Sequence, residues 1–306
     1  MTRHLLDVDD LSVSELMEVL ALGTTTHPRP VLAGRGAALV FEKPSNRTRN
    51  STEMAVVALG GHPIYLRREE VDIDGRESAE DVARTLALYH SVIAARVYDH
   101  QVLQRMADSV SIPVVNLLSD HSHPLQAIAD LLTIKAEFGD VTGRSVAWVG
   151  DYSNVARSLA KAAAMVGMGV RFACPAGYQP GVEDLDTFKA LGAPEAMSTD
   201  DPGQAVRGTH VVVTDAWYSM GQEAEAAQRR PIFEPYRVDE DLMGVASVDA
   251  IFMHCLPAHR GEEVTNSVLD GAHSRVWPEA ANRSNAARAA IEWLVTQAAL
   301  PVAGDR

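Results

Sequence analysis

The stretch FEKPSNRTRN, residues 41–50, sets Ser45, Asn46, Arg47 and Thr48 just after an apolar run, where a helix is expected to begin. Free backbone N–H groups at such a start, together with hydroxyls and a forked guanidinium, suit a phosphate-like anion. The plainer reading is a Ser-capped helix carrying solvated arginines. In HSHPLQ, residues 121–126, His123 and Gln126 fall one helical turn apart and can face one ligand, although a His at a helix start is more often a cap. GDYSNVARS, residues 150–158, offers Asn154 but lacks the later glycines of a nucleotide-binding G-x-G-x-x-G loop. DAWYSMG, residues 215–221, presents Asp215 past an apolar run and then Ser219 and Met220 in a turn. That carboxylate can pair with an ammonium group or simply cap a helix. HCLPAHRGEE, residues 254–263, puts Cys255 at a strand end before Pro257. A nucleophilic thiol would need a base and a lowered pKa, and a buried Cys is ordinarily a small hydrophobe.

These residues need elements to hold them. Apolar runs at 37–42, 62–66, 91–98 and 112–118 alternate with helical patterns beginning near Thr48, Ser78 and Gln101. A second series runs through 145–151, 170–175, 210–217 and 250–257, with a helical pattern at 155–167. Such alternation predicts βαβ units and parallel sheets, hence an α/β chain of two halves with a boundary near residues 138–144. An amphipathic helix is expected from His123 to Phe138 with a stop at Gly139, and a final Ala-rich helix after Arg283. Every candidate residue above then stands just beyond a strand, where open α/β sheets bind their ligands.

Bulk composition narrows the function. With 27 basic and 41 acidic residues the formal charge is −14, which argues against nucleic acid or an anionic membrane surface as a general partner. An anion site must therefore be local. No apolar run approaches the roughly 18 residues of a membrane span, and acids interrupt the N-terminal segment, so the cytoplasm is the expected location. Cys174 and Cys255 have neither a disulfide framework nor a metal-ligand spacing.

The order S-x-R-T-R, H-P-x-Q, D-x-W-x-S-M-G and H-C-L-P resembles the aspartate/ornithine carbamoyltransferase family, over essentially the whole chain. The resemblance implies two doubly wound domains, residues 1–138 with 286–306 for carbamoyl phosphate and 139–285 for the amino acid, the last helix returning to the first domain. It also implies carbamoyl transfer from carbamoyl phosphate to the δ-amine of ornithine, giving citrulline and phosphate, with no cofactor or metal and in a homotrimer. Carried over position by position, it assigns phosphate binding to Ser45, Arg47 and Thr48, with Asn46 contributing its backbone N–H. Arg96, His123 and Gln126 would hold the carbamoyl group; Asn154, Asp215, Ser219 and Met220 would hold ornithine; Cys255, Leu256 and Arg283 would close over the reacting groups. The chain departs from the family pattern at Asn46, Asp72 and Ala281. Two alternatives are a different amine acceptor and a non-catalytic ornithine-binding member.

Overall fold

The computed structural model of the protein describes residues 2–218 and 223–298. Its alternating apolar and amphipathic segments form two parallel sheets, each within its own unit. One unit comprises the chain up to Leu132 together with the segment from Asn282 on, and the other is Thr133–Ala281.

In the first unit the elements are α1 (Val13–Thr24), β1 (Gly36–Phe41), α2 (Asn46–Ala58), β2 (His62–Arg67), the short α3 (Arg68–Val71), α4 (Ala79–Ala87), β3 (His90–Arg96), α5 (His100–Ser109), β4 (Val114–Leu118) and the start of α6 (Pro124–Phe138). The strands lie in the order β2-β1-β3-β4, all parallel. From Ala37 to Phe41 every residue of β1 is buried, the pattern of a strand covered on both faces. One face packs through Ala38, Val40, Ile93 and Ala95 against Val82, Leu86, Leu103 and Met106 of α4 and α5. Hydroxyl and carboxylate caps start the helices: Ser45 accepts from the Thr48 N–H, Ser78 from that of Asp81 and Asp99 from that of Gln101. Because β2 and β3 flank β1 on opposite sides, the order reverses between β1 and β3.

The second unit holds the end of α6, then β5 (Ser145–Val149), α7 (Asn154–Met165), β6 (Gly169–Ala173), α8 (Val182–Leu191), β7 (Ala196–Thr199), α9 (Pro202–Val206), β8 (Val211–Thr214), α10 (Ala226–Phe233), α11 (Glu240–Met243), β9 (Ile251–His254), α12 (Asn266–Leu269) and the first turns of α13 (Val276–Ala298). Its sheet runs β7-β6-β5-β8-β9, again all parallel, and here the reversal lies between β5 and β8. The expected stop of α6 is present: Gly139 takes φ 70, a left-handed conformation that a Cβ would strain, and donates to the Lys135 carbonyl.

Two elements differ from expectation. The edge strand β7 is only half-buried along its length and is spelled AMST, too short and too polar to stand out. Helix α13 starts at Val276 and not after Arg283, because Pro278 falls in the first turn, where its missing N–H is no loss, and Glu279 follows with an acid near the positive helix end. From Asn282 on, α13 belongs to the first unit. There Arg288 donates through Nη2 to the Leu22, Gly23 and Thr25 carbonyls at 3.0, 3.1 and 3.0 Å, capping the C-terminus of α1, and Trp293 Nε1 donates to Glu18. No described helix is long and apolar enough to cross a membrane.

Candidate active site

The β1/β3 reversal of the first unit is where an open parallel sheet offers a crevice beyond its strand ends, and the predicted residues gather there. Leaving β1, the chain passes Lys43 and Pro44 and enters α2 with Ser45 as cap, so the first N–H groups of α2 have no helical partner. Thr48 is buried in the first turn. Its Oγ1 accepts from Arg283 Nη2 at 2.9 Å and from Arg96 Nη1 at 3.4 Å, Arg96 being the last residue of β3. Both partners can only donate, so the Thr48 hydroxyl proton is left for an acceptor oxygen of a ligand.

Arg283 also directs Nη1 to Gln126 Oε1 and lies 3.3 Å from His123 Nε2. A guanidinium has no acceptor, so this His123 nitrogen must accept and the ring proton sits on Nδ1. Burial, then the Arg283 and Arg96 charges, hold the His123 pKa well below the usual value, so the ring is neutral at physiological pH. Gln126 in turn donates through Nε2 to Asp130 Oδ1 at 2.7 Å. The result is two buried guanidiniums drawn onto one hydroxyl, a like-charge arrangement that an anion would relieve.

Around them, Arg47 is partly buried and has no carboxylate partner among the described residues. Asn46 is exposed, and its carbonyl and Oδ1 both accept from Asn50 Nδ2, at 2.8 and 2.9 Å. Asp72 caps α3 with φ 42. Lys43 did not emerge from the sequence reading. Its Nζ lies 4.0 Å from the Tyr98 ring centre, and burial, aided by the Arg96 charge, lowers its pKa. A cation just before Pro44 at this strand end was the available signal.

In the second unit the candidates stand at the ends of β5, β8 and β9. Gly150, at φ 125, turns the chain out of β5, and Asn154 opens α7 behind the Ser153 cap. Asp215 follows β8 and accepts the Ala216 N–H at 2.8 Å. Burial raises its pKa above the usual carboxylate range, against the opposing effects of His254 and a Cys255 hydrogen bond. Ligand-type atoms of Asp215, His254 and Cys255 all lie within 4.8 Å of one another. His254 is tied into the loop after β9: Nδ1 accepts from the Leu256 N–H at 2.9 Å, so Nε2 carries the proton and faces the fully buried Glu263 carboxylate at 3.2 Å. That bond holds Leu256 at φ 60, before a cis bond to Pro257. Neither His254 nor Glu263 was singled out from sequence, since their roles depend on a return of the chain that spacing does not reveal. Ser219 and Met220 lie outside the described residues.

Family models match both halves: the aspartate/ornithine carbamoyltransferase carbamoyl-P binding domain over residues 3–136, and the Asp/Orn binding domain over residues 142–294. The chain belongs to the aspartate/ornithine carbamoyltransferase family. Among carbamoyltransferases it is similar to the ornithine carbamoyltransferase of Carboxydothermus hydrogenoformans, 44% identical over 303 residues that cover 96% of this chain and 97% of that one. It is also 42% identical over 299 residues to the anabolic ornithine carbamoyltransferase of Pyrococcus furiosus, covering 94% and 95% of the two chains. The solved ornithine carbamoyltransferase structure from Pyrococcus furiosus superposes with TM-score 0.89 at 42% identity, over 94% of this chain and 96% of that one. The two parallel α/β sheets and the return of α13 are thus the carbamoyltransferase fold.

Proposed function

We propose that the protein transfers the carbamoyl group of carbamoyl phosphate to the δ-amine of L-ornithine, giving L-citrulline and phosphate. The observation that carries this reading is the convergence of Arg96 and Arg283 on Thr48 beside neutral His123 and Gln126, at the reversal of a parallel sheet. In this reading the first N–H groups of α2, with Ser45, Asn46, Arg47 and Thr48, hold the phosphate. His123, neutral and protonated on one nitrogen, can donate to the carbamoyl oxygen without adding a further full charge.

The unprotonated δ-amine attacks the carbonyl carbon, and the C=O electrons move onto oxygen. Preorganised guanidinium, imidazole and hydroxyl donors lower the energy of that developing anion because they need not reorient. As the intermediate collapses, the C–O bond to phosphate breaks, and the departing phosphate takes the amine proton. Asp215 pairs with the α-ammonium of ornithine, while the loop of Cys255 and Leu256, held by His254 and Glu263, supplies neighbouring acceptors; Asn154 completes the amino-acid side.

A homo-oligomer, as a trimer, fits the exposed apolar residues Met54, Val57 and Ile64 on α2 and β2. Cys174 and Cys255 form no disulfide among the described residues, which suits a reducing cytoplasm. The test is product formation by the purified protein from carbamoyl phosphate and a panel of amines. Citrulline from ornithine is expected; efficient carbamoylation of another amine with none of ornithine would overturn the acceptor assignment.

A further inference from the structure

We infer that Asp130 is a positioning residue: it fixes the direction of the Gln126 side-chain amide, and through it makes the site select a carbamoyl N–H over an apolar group of the same size. This rests on the carbamoyl transfer reading above.

A primary amide has two ends of nearly equal shape and opposite hydrogen-bonding character, so its direction must be set by its neighbours. Asp130 follows Gln126 by one turn of α6 and takes its Nε2 proton on Oδ1 at 2.7 Å. On the other end, Oε1 faces Arg283 Nη1. A carboxylate here accepts and a guanidinium only donates, so both neighbours demand the same direction. The reverse would set oxygen against carboxylate and NH2 against guanidinium. Both Gln126 and Asp130 are almost wholly buried, at 0% and 2% exposure, where such mismatches are not relieved by water.

The amide therefore offers its oxygen, and only its oxygen, toward the cluster of Thr48, His123 and Arg283. Of the other acceptors at that cluster, Thr48 Oγ1 already accepts twice and His123 Nε2 turns its single lone pair to Arg283, whereas an amide oxygen has two lone pairs. Gln126 Oε1 is thus the acceptor that can recognise an N–H donor on the ligand. A carbamoyl group has one, and an acetyl group places a methyl there. A site built around an acceptor disfavours the analogue that leaves it unpaired. Asp130 itself need touch no substrate to exert this choice.

The experiment compares kcat/KM for carbamoyl phosphate, at saturating ornithine, with the inhibition constant of acetyl phosphate in the unaltered protein and in Asp130→Asn, Asp130→Glu and Gln126→Leu. Asp130→Asn leaves Arg283 alone to set the direction of the Gln126 amide, and the preference for the carbamoyl compound is expected to fall, by about tenfold at most, through the carbamoyl compound and not through acetyl phosphate. Asp130→Glu keeps an acceptor-only group and is expected to retain most of the preference even with slower turnover. Gln126→Leu removes the reading group and gives the full size of the effect. An unchanged preference in Asp130→Asn, or equal weakening of both compounds, overturns the inference. So does a preference that survives Gln126→Leu, whatever the folding of the Asp130 variants. If the unaltered protein makes no citrulline, the function itself fails; turnover with these null results removes the Asp130 role alone.

Discussion

Arg283, on the last helix, donates to the hydroxyl of Thr48, in the first turn of α2, across 2.9 Å. Residues 235 apart in sequence are thereby joined at one oxygen, which Arg96 reaches from β3 as well. The hydroxyl receives two charged donors, so it links the helix start to both guanidiniums. Thr48→Val keeps the shape and removes this link. We predict a loss of about ten- to a hundredfold in kcat/KM for carbamoyl phosphate with the fold intact, measured by steady-state kinetics beside circular dichroism.

Asp215 should show opposite effects on stability and on binding. Burial raises its folded pKa above the ordinary 3.8. The unfolded chain therefore loses this proton at lower pH than the folded chain, and at neutral pH the carboxylate charge works against folding. Asp215→Asn is expected to raise the thermal midpoint while raising the ornithine KM by about tenfold or more. A lower midpoint with unchanged KM would contradict both halves of the prediction.

Arg288 has a purely structural task in this fold. Removing the guanidinium from the carbonyls at the end of α1 in Arg288→Met should destabilise the protein by about 1 to 3 kcal/mol, since the buried Gly23 carbonyl loses this donor and those of Leu22 and Thr25 lose a charged one. The KM values for both substrates should stay within about twofold, because the residue faces α1 and not the cluster at Thr48. Denaturant titration and kinetics on the same sample separate the two.

Stability should depend on pH through the histidines. Burial depresses the pKa of His4, His90, His100, His123 and His210 below 6.5. Below about pH 6.5 the unfolded chain binds protons that the folded chain refuses, so stability is full above that pH and falls as the pH is lowered toward the folded values. Calorimetric unfolding at pH 6 should show net proton uptake in buffers of differing ionisation enthalpy. Proton release there would contradict the assignment.

Much of the site could be read in the chain because strand ends are local features. The apolar run before Ser45, the helix start at Pro124 and the carboxylate after Val211–Thr214 place Thr48, His123 and Asp215 by sequence alone. Tertiary partners were beyond that reach. Asp130, one turn after Gln126, looks like one more acid in an amphipathic helix until Arg283 is seen at the other end of that amide, and Glu263 looks solvated until the chain folds it under His254. The early start of α13 was hidden for a different reason: Pro278 reads as a helix breaker on its own, and only its place in the first turn makes it compatible with a start at Val276. Strand β7 lacks an apolar signal because an edge position does not demand one.

The most direct test of the central claim is a double-mutant cycle on the guanidiniums at Thr48: calorimetric binding of carbamoyl phosphate to the unaltered protein, Arg96→Met, Arg283→Met and the double variant. The account predicts that each single change weakens binding by at least about tenfold and that the double change costs clearly less than the two together, because both cations act on one anion. Tight binding in both single variants, or strictly additive losses, would contradict it.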